Sequence, residues 1–165
     1  MDGDNSLTFT DVFNEYKDRT FDFAVKMLGD RDAAGDIAQE VFVRLYTKMT
    51  DHYRITDIKS WLFILTRNLC LNKIRDRCHE VPLSAVSDNP GDHSDRDRHR
   101  QIELRRALLA LEPEYREALI LREYQGFSYT EIAEILGTTV PAIRALLYRA
   151  RCRLRETYRQ TSFMG

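Results

Sequence analysis

One break in an otherwise helix-like pattern limits what this 165-residue chain can fold into. Between about His79 and Arg100 it carries two prolines, a glycine and a dense mix of charges, a composition typical of flexible linkers. On both sides, apolar residues recur every three or four positions, the spacing of an amphipathic helix. The sequence therefore predicts an all-α protein with two small helical domains, residues 7–78 and 101–160, joined by a flexible acidic linker at 79–100.

The first domain is predicted to contain three helices. Gly29 can end the first helix and Asp30 can cap the second, while Asp57 can cap the third after a polar stretch. The third helix is apolar on two sides, so we expect it to be buried centrally. Its polar side is expected to face outwards with Arg67, Asn68, Asn72, Lys73 and Arg75. Its main apolar stripe consists of Ile58, Trp61, Leu62, Leu65 and Leu69.

The second domain is predicted to contain a helix-turn-helix. Ser128 and Glu131 have the spacing of a capping box, which would open a helix over Tyr129–Leu136. Gly137 ends that helix and Thr139 can cap the last one, so two helices are joined by a short turn. The preceding helices are predicted at Gln101–Leu111 and from Glu114 to Gly126.

The last helix is strongly basic, although the whole chain has a formal net charge of −1. Arg144, Tyr148, Arg151 and Arg155 follow one another at spacings of four, three and four and so share one face. Arginines on such a face can fork onto guanine edges or pair with phosphates. A solvated basic C-terminal helix, favoured by the helix dipole, is the simpler interpretation. The turn and capping box in front of it favour DNA binding.

Two further surfaces are weaker candidates on pattern alone. Around Asp36 and Phe42, charged positions on the second helix suit binding to another helix, but an ordinary solvated outer face explains them better. The loop holding His52 and Tyr53 precedes polar residues of the third helix and could hold unstacked bases beside a phosphate-binding face. A plain surface loop is at least as good an interpretation of that spacing.

Several classes of function are disfavoured. No apolar run approaches the ~18 residues of a membrane span, and no signal-peptide pattern begins the sequence, so a cytoplasmic location is expected. The three cysteines are irregularly spaced, and Cys78-His79 has no paired metal-ligand spacing around it. No nucleotide-binding loop or nucleophile elbow occurs. We therefore predict no metal, no cofactor and no enzymatic activity.

Motifs along nearly the whole chain resemble those of one protein family. The segment Asp32–Phe42 resembles the helix with which that family binds core RNA polymerase. Ser60-Trp61-Leu62 with Thr66-Arg67-Asn68 resembles the helix with which it melts promoter DNA. The second half is similar in Leu111-Glu112-Pro113, Gly126-Phe127-Ser128-Tyr129 and Tyr148-Arg149-Ala150-Arg151. The chain thus looks like an extracytoplasmic-function (ECF) sigma factor of the sigma-70 family, the compact type with only the second and fourth sigma domains.

This resemblance implies an RNA polymerase sigma factor, and it implies a role for three groups of residues. Core polymerase, through the clamp helices of its largest subunit, would be bound by Asp36, Gln39, Glu40, Phe42 and Arg44. The minus-10 element would be bound by Tyr53, Arg67, Asn68, Asn72, Lys73 and Arg75. The minus-35 element would be bound by Ser128, Thr139, Arg144, Tyr148, Arg149, Arg151 and Arg155. An anti-sigma protein is a further expected partner.

The chain departs from the family pattern at four positions. Gly35 stands where an acid is usual, and Asn72 replaces a common aspartate. Ala145 and Leu146 replace a serine-arginine pair in the recognition helix, which leaves the minus-35 preference open. The alternative function is a helix-turn-helix repressor or activator that acts without polymerase, usually as a dimer on paired half-sites. No dimerising heptad or ligand pocket is evident in the sequence to support it.

Overall fold

A computed structural model describes residues 8–51, 55–78 and 95–163, and within these ranges the regular secondary structure is entirely helical. The all-α prediction is confirmed. Tyr53 and most of the predicted linker lie outside the described residues. The helices are α1 (Phe9–Leu28), α2 (Arg31–Thr50), α3 (Ile58–Arg77), α4 (Asp95–Leu109), α5 (Pro113–Leu119), α6 (Tyr129–Leu136) and α7 (Val140–Phe163), with a π-helical turn at Ile120–Tyr124.

The predicted helix boundaries of the first half depend on three residues, and all three act as expected. Gly29 ends α1 in the left-handed conformation, with φ of 68°, which glycine adopts without the steric cost that a Cβ brings. Asp30 accepts a hydrogen bond from the backbone N–H of Ala33 at 3.0 Å, which caps α2. Asp57 accepts one from Ser60 at 3.1 Å and caps α3.

The buried face of α3 differs from the predicted stripe. Phe63, Thr66 and Cys70 are fully buried, whereas Trp61 and Leu65 are only half-buried. Thr66 tolerates burial because its hydroxyl donates to the carbonyl of Leu62 at 2.7 Å, which satisfies the polar group. Because threonine is polar, apolar periodicity alone does not predict that Thr66 belongs to the core.

Two elements of the second half extend or divide the predicted helices. α4 begins at Asp95, inside the range predicted as linker, and its exposed first turns are charged on every side. Such turns carry no apolar stripe, which is why periodicity misses them. The single helix predicted from Glu114 consists of α5 followed by the π-helical turn, in which the N–H of Gln125 reaches the carbonyl of Ile120 at 3.0 Å.

The two halves pack against each other, and their buried residues form one continuous core. Phe63 of α3 meets Phe127 edge-on, with ring centroids 4.7 Å apart. At a second point a Cβ on Gly29 would lie 2.7 Å from Leu109 Cδ1, so the backbone of the first half touches the second half directly. The linker composition gave no indication of this contact.

Candidate nucleic-acid and protein interfaces

The helix-turn-helix is built as its sequence signals predict. The backbone N–H of Ser128 donates to Glu131 Oε2 at 2.8 Å, and that of Glu131 donates to Ser128 Oγ at 3.1 Å. Gly137, with φ of 66°, turns the chain out of α6, and the N–H of Ala142 lies 3.4 Å from Thr139 Oγ1 at the start of α7. At 1.5 Å per residue, α7 is about 36 Å long, enough to lie along a major groove.

One face of α7 is buried in the core, and the neighbouring face is exposed to solvent. Ile143, Leu147 and Ala150 are fully buried against the rest of the second half. Arg144 is exposed, and Tyr148 is 70% exposed. The remaining exposed side chains of the predicted minus-35 set are Ser128, Thr139, Arg149 and Arg155.

Arg151, another member of that set, forms an ion pair within its own domain. Its Nη2 lies 2.7 Å from Glu123 Oε1, and this hydrogen bond raises the pKa of the guanidinium. Its charge is therefore partly neutralised by Glu123. The hydroxyl of Ser128 is likewise used by the capping box.

The predicted minus-10 residues fall into two groups. Asn68, Asn72, Lys73 and Arg75 are exposed on α3, and Arg75 Nη2 donates to Asn72 Oδ1 at 3.0 Å. The expectation that Arg67 also faces outwards is wrong. Its Nε and Nη2 donate to the two carboxylate oxygens of Glu117, on α5, at 2.6 and 3.1 Å.

The Arg67–Glu117 pair follows from burial of the carboxylate. The side chain of Glu117 is only 4% exposed, and a charge so buried is costly without a partner. Burial raises the pKa of Glu117, and the hydrogen bonds and charge of Arg67 partly lower it. A bidentate arginine is the geometry that best compensates a desolvated carboxylate, so Arg67 is drawn away from solvent.

The outer face of α2 carries the charged part of the predicted polymerase-binding set. Asp36, Gln39, Glu40 and Arg44 are all exposed, and Arg44 forms an ion pair with Glu40 one turn away. Phe42 departs from the expectation of a surface contact, because it is only 5% exposed.

An apolar groove beside that face was missed by the sequence analysis. It lies between α1 and α2 and has a volume of about 540 Å³. Its exposed lining includes Phe13, Val43 and Tyr46, which are 37%, 58% and 58% exposed, and Phe42 packs edge-on to Phe13 at 4.9 Å. Val43 and Tyr46 are apolar residues outside the core stripe of α2, which is the signal that predicts such a groove.

Comparison with known proteins agrees with this architecture. Residues 12–79 match the family model "Sigma-70 region 2", and residues 101–154 match "Sigma-70, region 4". The chain is 33% identical over 139 residues to the ECF RNA polymerase sigma factor EcfG of Rhodopseudomonas palustris, covering 80% of this chain and 75% of that protein. It is 28% identical over 158 residues to SigE of Mycolicibacterium smegmatis, covering 90% of this chain and 61% of the relative.

A solved structure has the same fold. The sigma factor RpoE of Bartonella quintana, in complex with the anti-sigma factor NepR, superposes with a TM-score of 0.77 at 28% identity. The likeness covers 92% of this chain and 96% of that one. The fold and the helix-turn-helix define a sigma-70 type transcription factor. Within that class, the chain belongs to the ECF RNA polymerase sigma factors.

In the residues that the structure describes, no helix is both long enough and apolar enough to cross a membrane. The same residues contain no group of three or more histidine, cysteine or acidic side chains placed to hold a metal ion. His79 lies outside the described residues.

Proposed function

We propose that this chain gives RNA polymerase its promoter specificity by binding the core enzyme through α2, the minus-10 element through α3 and the minus-35 element through α7. The observation that carries the proposal is the exposed face of α7, where Arg144, Tyr148 and Arg155 stand beside a buried core face on a correctly capped helix-turn-helix. Such a helix presents side chains to base edges while its first partner helix lies across the backbone.

Core polymerase is the proposed partner of the outer face of α2. Its acids Asp36 and Glu40 are exposed beside the apolar groove, and an apolar centre with a charged rim is the usual anatomy of a protein interface. The family resemblance assigns this face to the clamp helices of the polymerase's largest subunit. Gln39 and Phe42 also line the groove and join the charged rim to its floor.

The exposed part of α3 is proposed to hold the opened non-template strand. Asn68, Asn72, Lys73 and Arg75 supply hydrogen-bond donors and positive charge along one helix, and Tyr53 precedes that helix in the chain. Unstacking a base costs a few kcal/mol, and stacking on an aromatic side chain returns about 1–3 kcal/mol. In this mechanism the protein stabilises melted DNA and catalyses no reaction itself.

An anti-sigma protein is the proposed regulator, because the similar RpoE structure contains one. The proposed place of action is the cytoplasm, where polymerase and promoter are found. The alternative, a polymerase-independent repressor or activator, is not favoured, since both family matches are to sigma-70 regions.

The test is run-off transcription with core polymerase over a pool of promoter fragments, combined with charge reversal on α2. We expect Asp36→Lys/Glu40→Lys to bind core more weakly, because close interfacial charge pairs contribute about 1–3 kcal/mol each. The matched control is Asp18→Lys/Asp76→Lys, which reverses two exposed acids outside the proposed face. Wild-type binding by the α2 variant in a pull-down would disprove the assignment, and absence of any core-dependent transcript would disprove the function.

A further inference from the structure

The ion pair between Arg151 and Glu123 lies beside the face of α7 that is proposed to bind DNA. Arg151 follows Arg144 by seven residues, which places the two arginines on one side of the helix. Its Nε and Nη2 both donate to Glu123 Oε1, at 3.2 and 2.7 Å. The pair therefore joins a side chain of the proposed minus-35 surface to the segment that precedes α6.

The position of Glu123 is fixed by the π-helical turn that contains it. The chain leaving this turn is held by a hydrogen bond from the backbone N–H of Phe127 to the carbonyl of Leu121, at 3.0 Å. Next to Glu123, Arg122 Nη1 donates to the carbonyl of Phe127 at 2.8 Å. The Arg122 guanidinium also lies 4.8 Å from the centroid of the Tyr129 ring. The carboxylate of Glu123 is thus presented from a well-supported backbone, and π-helical turns are frequent at functional sites.

Stability does not account for an acid at this position. The side chains of Glu123 and Arg151 are 49% and 41% exposed, and exposed ion pairs contribute little to the free energy of folding. On a surface that binds DNA a carboxylate is also unfavourable, because it repels the phosphates and offsets one of the cations that attract them. The pair differs in this respect from Arg67–Glu117, where burial of the carboxylate demands a partner. What Glu123 supplies instead is a fixed orientation for Arg151.

The geometry of the pair leaves one edge of the Arg151 guanidinium for DNA. A guanidinium carries five N–H groups in a planar fork. The edge formed by Nε and Nη2 is directed at Glu123, so Nη1 and the remaining N–H of Nη2 form the edge that is left. Since the contact with Glu123 fixes this edge, Arg151 cannot adjust to the bases of different sequences, whereas a backbone phosphate lies at a similar place in every sequence. Arg144, about 10 Å nearer the start of α7 at 1.5 Å per residue, is exposed.

We propose that Glu123 is a positioning residue for promoter recognition: it directs the Arg151 guanidinium to a backbone phosphate of the minus-35 element and prevents it from binding base edges. The inference rests on the proposed function, because it requires α7 to bind that element. Phosphate contacts set the register of a recognition helix without reading sequence. Glu123 therefore increases specificity through Arg151, and the bases are read by side chains nearer the start of α7, such as Arg144.

Competition binding of the holoenzyme, assembled from the full chain and core polymerase, tests this proposal. The probes are two duplexes: the minus-35 fragment that wild-type holoenzyme selects from a random pool, and the same fragment with that element scrambled. The measured quantity is the discrimination, which is the ratio of the two affinities. Glu123→Ala should reduce the discrimination by at least about twofold, the size expected for loss of one exposed ion pair, because the freed Arg151 also binds scrambled DNA.

Two further variants separate orientation from charge. Glu123→Gln keeps an oxygen that can accept from Arg151 but removes the negative charge, so it should bind both duplexes more tightly and keep the wild-type discrimination. In an Arg151→Ala background, Glu123→Ala should leave the discrimination unchanged, because no guanidinium remains to be oriented. The matched control is Glu156→Ala, which removes an exposed acid paired with Arg153 on α7 and should keep the wild-type discrimination.

Circular dichroism of each variant shows whether its helices are intact. Glu123→Ser, whose side chain is too short to reach Arg151, replaces Glu123→Ala if the alanine variant loses helix. Wild-type discrimination by Glu123→Ala would overturn the proposal. So would a loss by Glu123→Gln as large as that of Glu123→Ala, or an equal loss in the Arg151→Ala background, since Glu123 would then act through its charge or through the fold. If wild-type holoenzyme prefers no minus-35 sequence at all, the proposed function itself is contradicted, and with it the inference.

Discussion

The two helices proposed to bind DNA, α3 and α7, differ in how the fold surrounds them. α7 packs mainly against α4, α5 and α6 of its own domain, so one face is buried and the arginine-bearing face is open. α3 packs against α1 and α2 on one side and against α6 on the other. Only the part of α3 that carries Asn68, Asn72, Lys73 and Arg75 remains exposed.

This difference shows that the accessibility of a basic face is decided by tertiary partners. Arg67 and Arg144 have the same charge and similar helical surroundings in sequence. Arg144 is exposed, whereas Arg67 compensates the buried Glu117. A carboxylate that is removed from solvent needs a positively charged hydrogen-bond partner, and a nearby guanidinium supplies it. The sequence of α3 alone does not show where that carboxylate will lie.

The largest expected effect concerns the open helix α7. Arg144 lies one turn into α7, where its side chain can reach base edges, and it gains importance because Leu146 replaces the arginine usual there. Arg144→Ala should cost about 1–3 kcal/mol against the preferred minus-35 sequence and relax selectivity at one or two positions. Competition binding of the holoenzyme to a library varied across the minus-35 element measures this.

Arg155→Ala is the matched comparison on the same face. It should weaken all sequences about equally and reduce the salt dependence, because a phosphate contact carries no base information. An unchanged sequence profile for Arg144→Ala, with a uniform drop in affinity, would show that Arg144 is a backbone contact.

A smaller effect is expected on the exposed part of α3. Asn68→Ala and Lys73→Ala should each reduce promoter opening, by an amount on the order of one hydrogen bond, about 1 kcal/mol. Permanganate footprinting should show lower thymine reactivity on duplex promoters and recovery on a pre-melted template. Asp76→Ala, exposed on the same helix, is the control. Equal defects on both templates would refute a melting role.

Much of the fold could be predicted because its signals are local. Gly29, Gly137, Asp30, Asp57 and the Ser128 capping box each act on the turn in which they stand, so a single sequence contains them. The exposed, arginine-bearing face of α7 was predictable for the same reason, since one periodicity places the core residues and the arginines of this helix on adjacent faces.

The remainder depends on contacts between distant residues. Glu117 is fifty residues from Arg67 along the chain, and its burial comes from packing between the halves rather than from its neighbours in sequence. The groove lined by Phe13, Val43 and Tyr46 likewise needs two helices to form. Thr66 entered the core through a hydrogen bond to its own helix, which hydrophobic patterns do not register.

The smallest expected effect distinguishes the two ion pairs between the halves, Arg67–Glu117 and Lys59–Glu131. The side chains of Lys59 and Glu131 are 31% and 36% exposed, so solvent screens their charges. A double-mutant cycle with Lys59→Met and Glu131→Gln should therefore give a coupling of only about 0.2–1 kcal/mol in the free energy of unfolding. Glutamine at 131 can still form the capping box, which keeps α6 intact.

The coupling of that pair should also depend on pH in a defined direction. The hydrogen bond from Lys59 lowers the pKa of Glu131 below its ordinary value of 4.5, so the folded protein holds this proton less tightly than the unfolded chain. The stabilisation is therefore present above about pH 4.5 and is lost as the pH falls through the lowered pKa of the folded state. Burial acts oppositely on Glu117, whose pKa is raised. Urea unfolding of the four cycle members at neutral pH and below pH 4 measures the coupling. A coupling that persists unchanged in acid would mean that Lys59 and Glu131 interact through packing rather than through their charges.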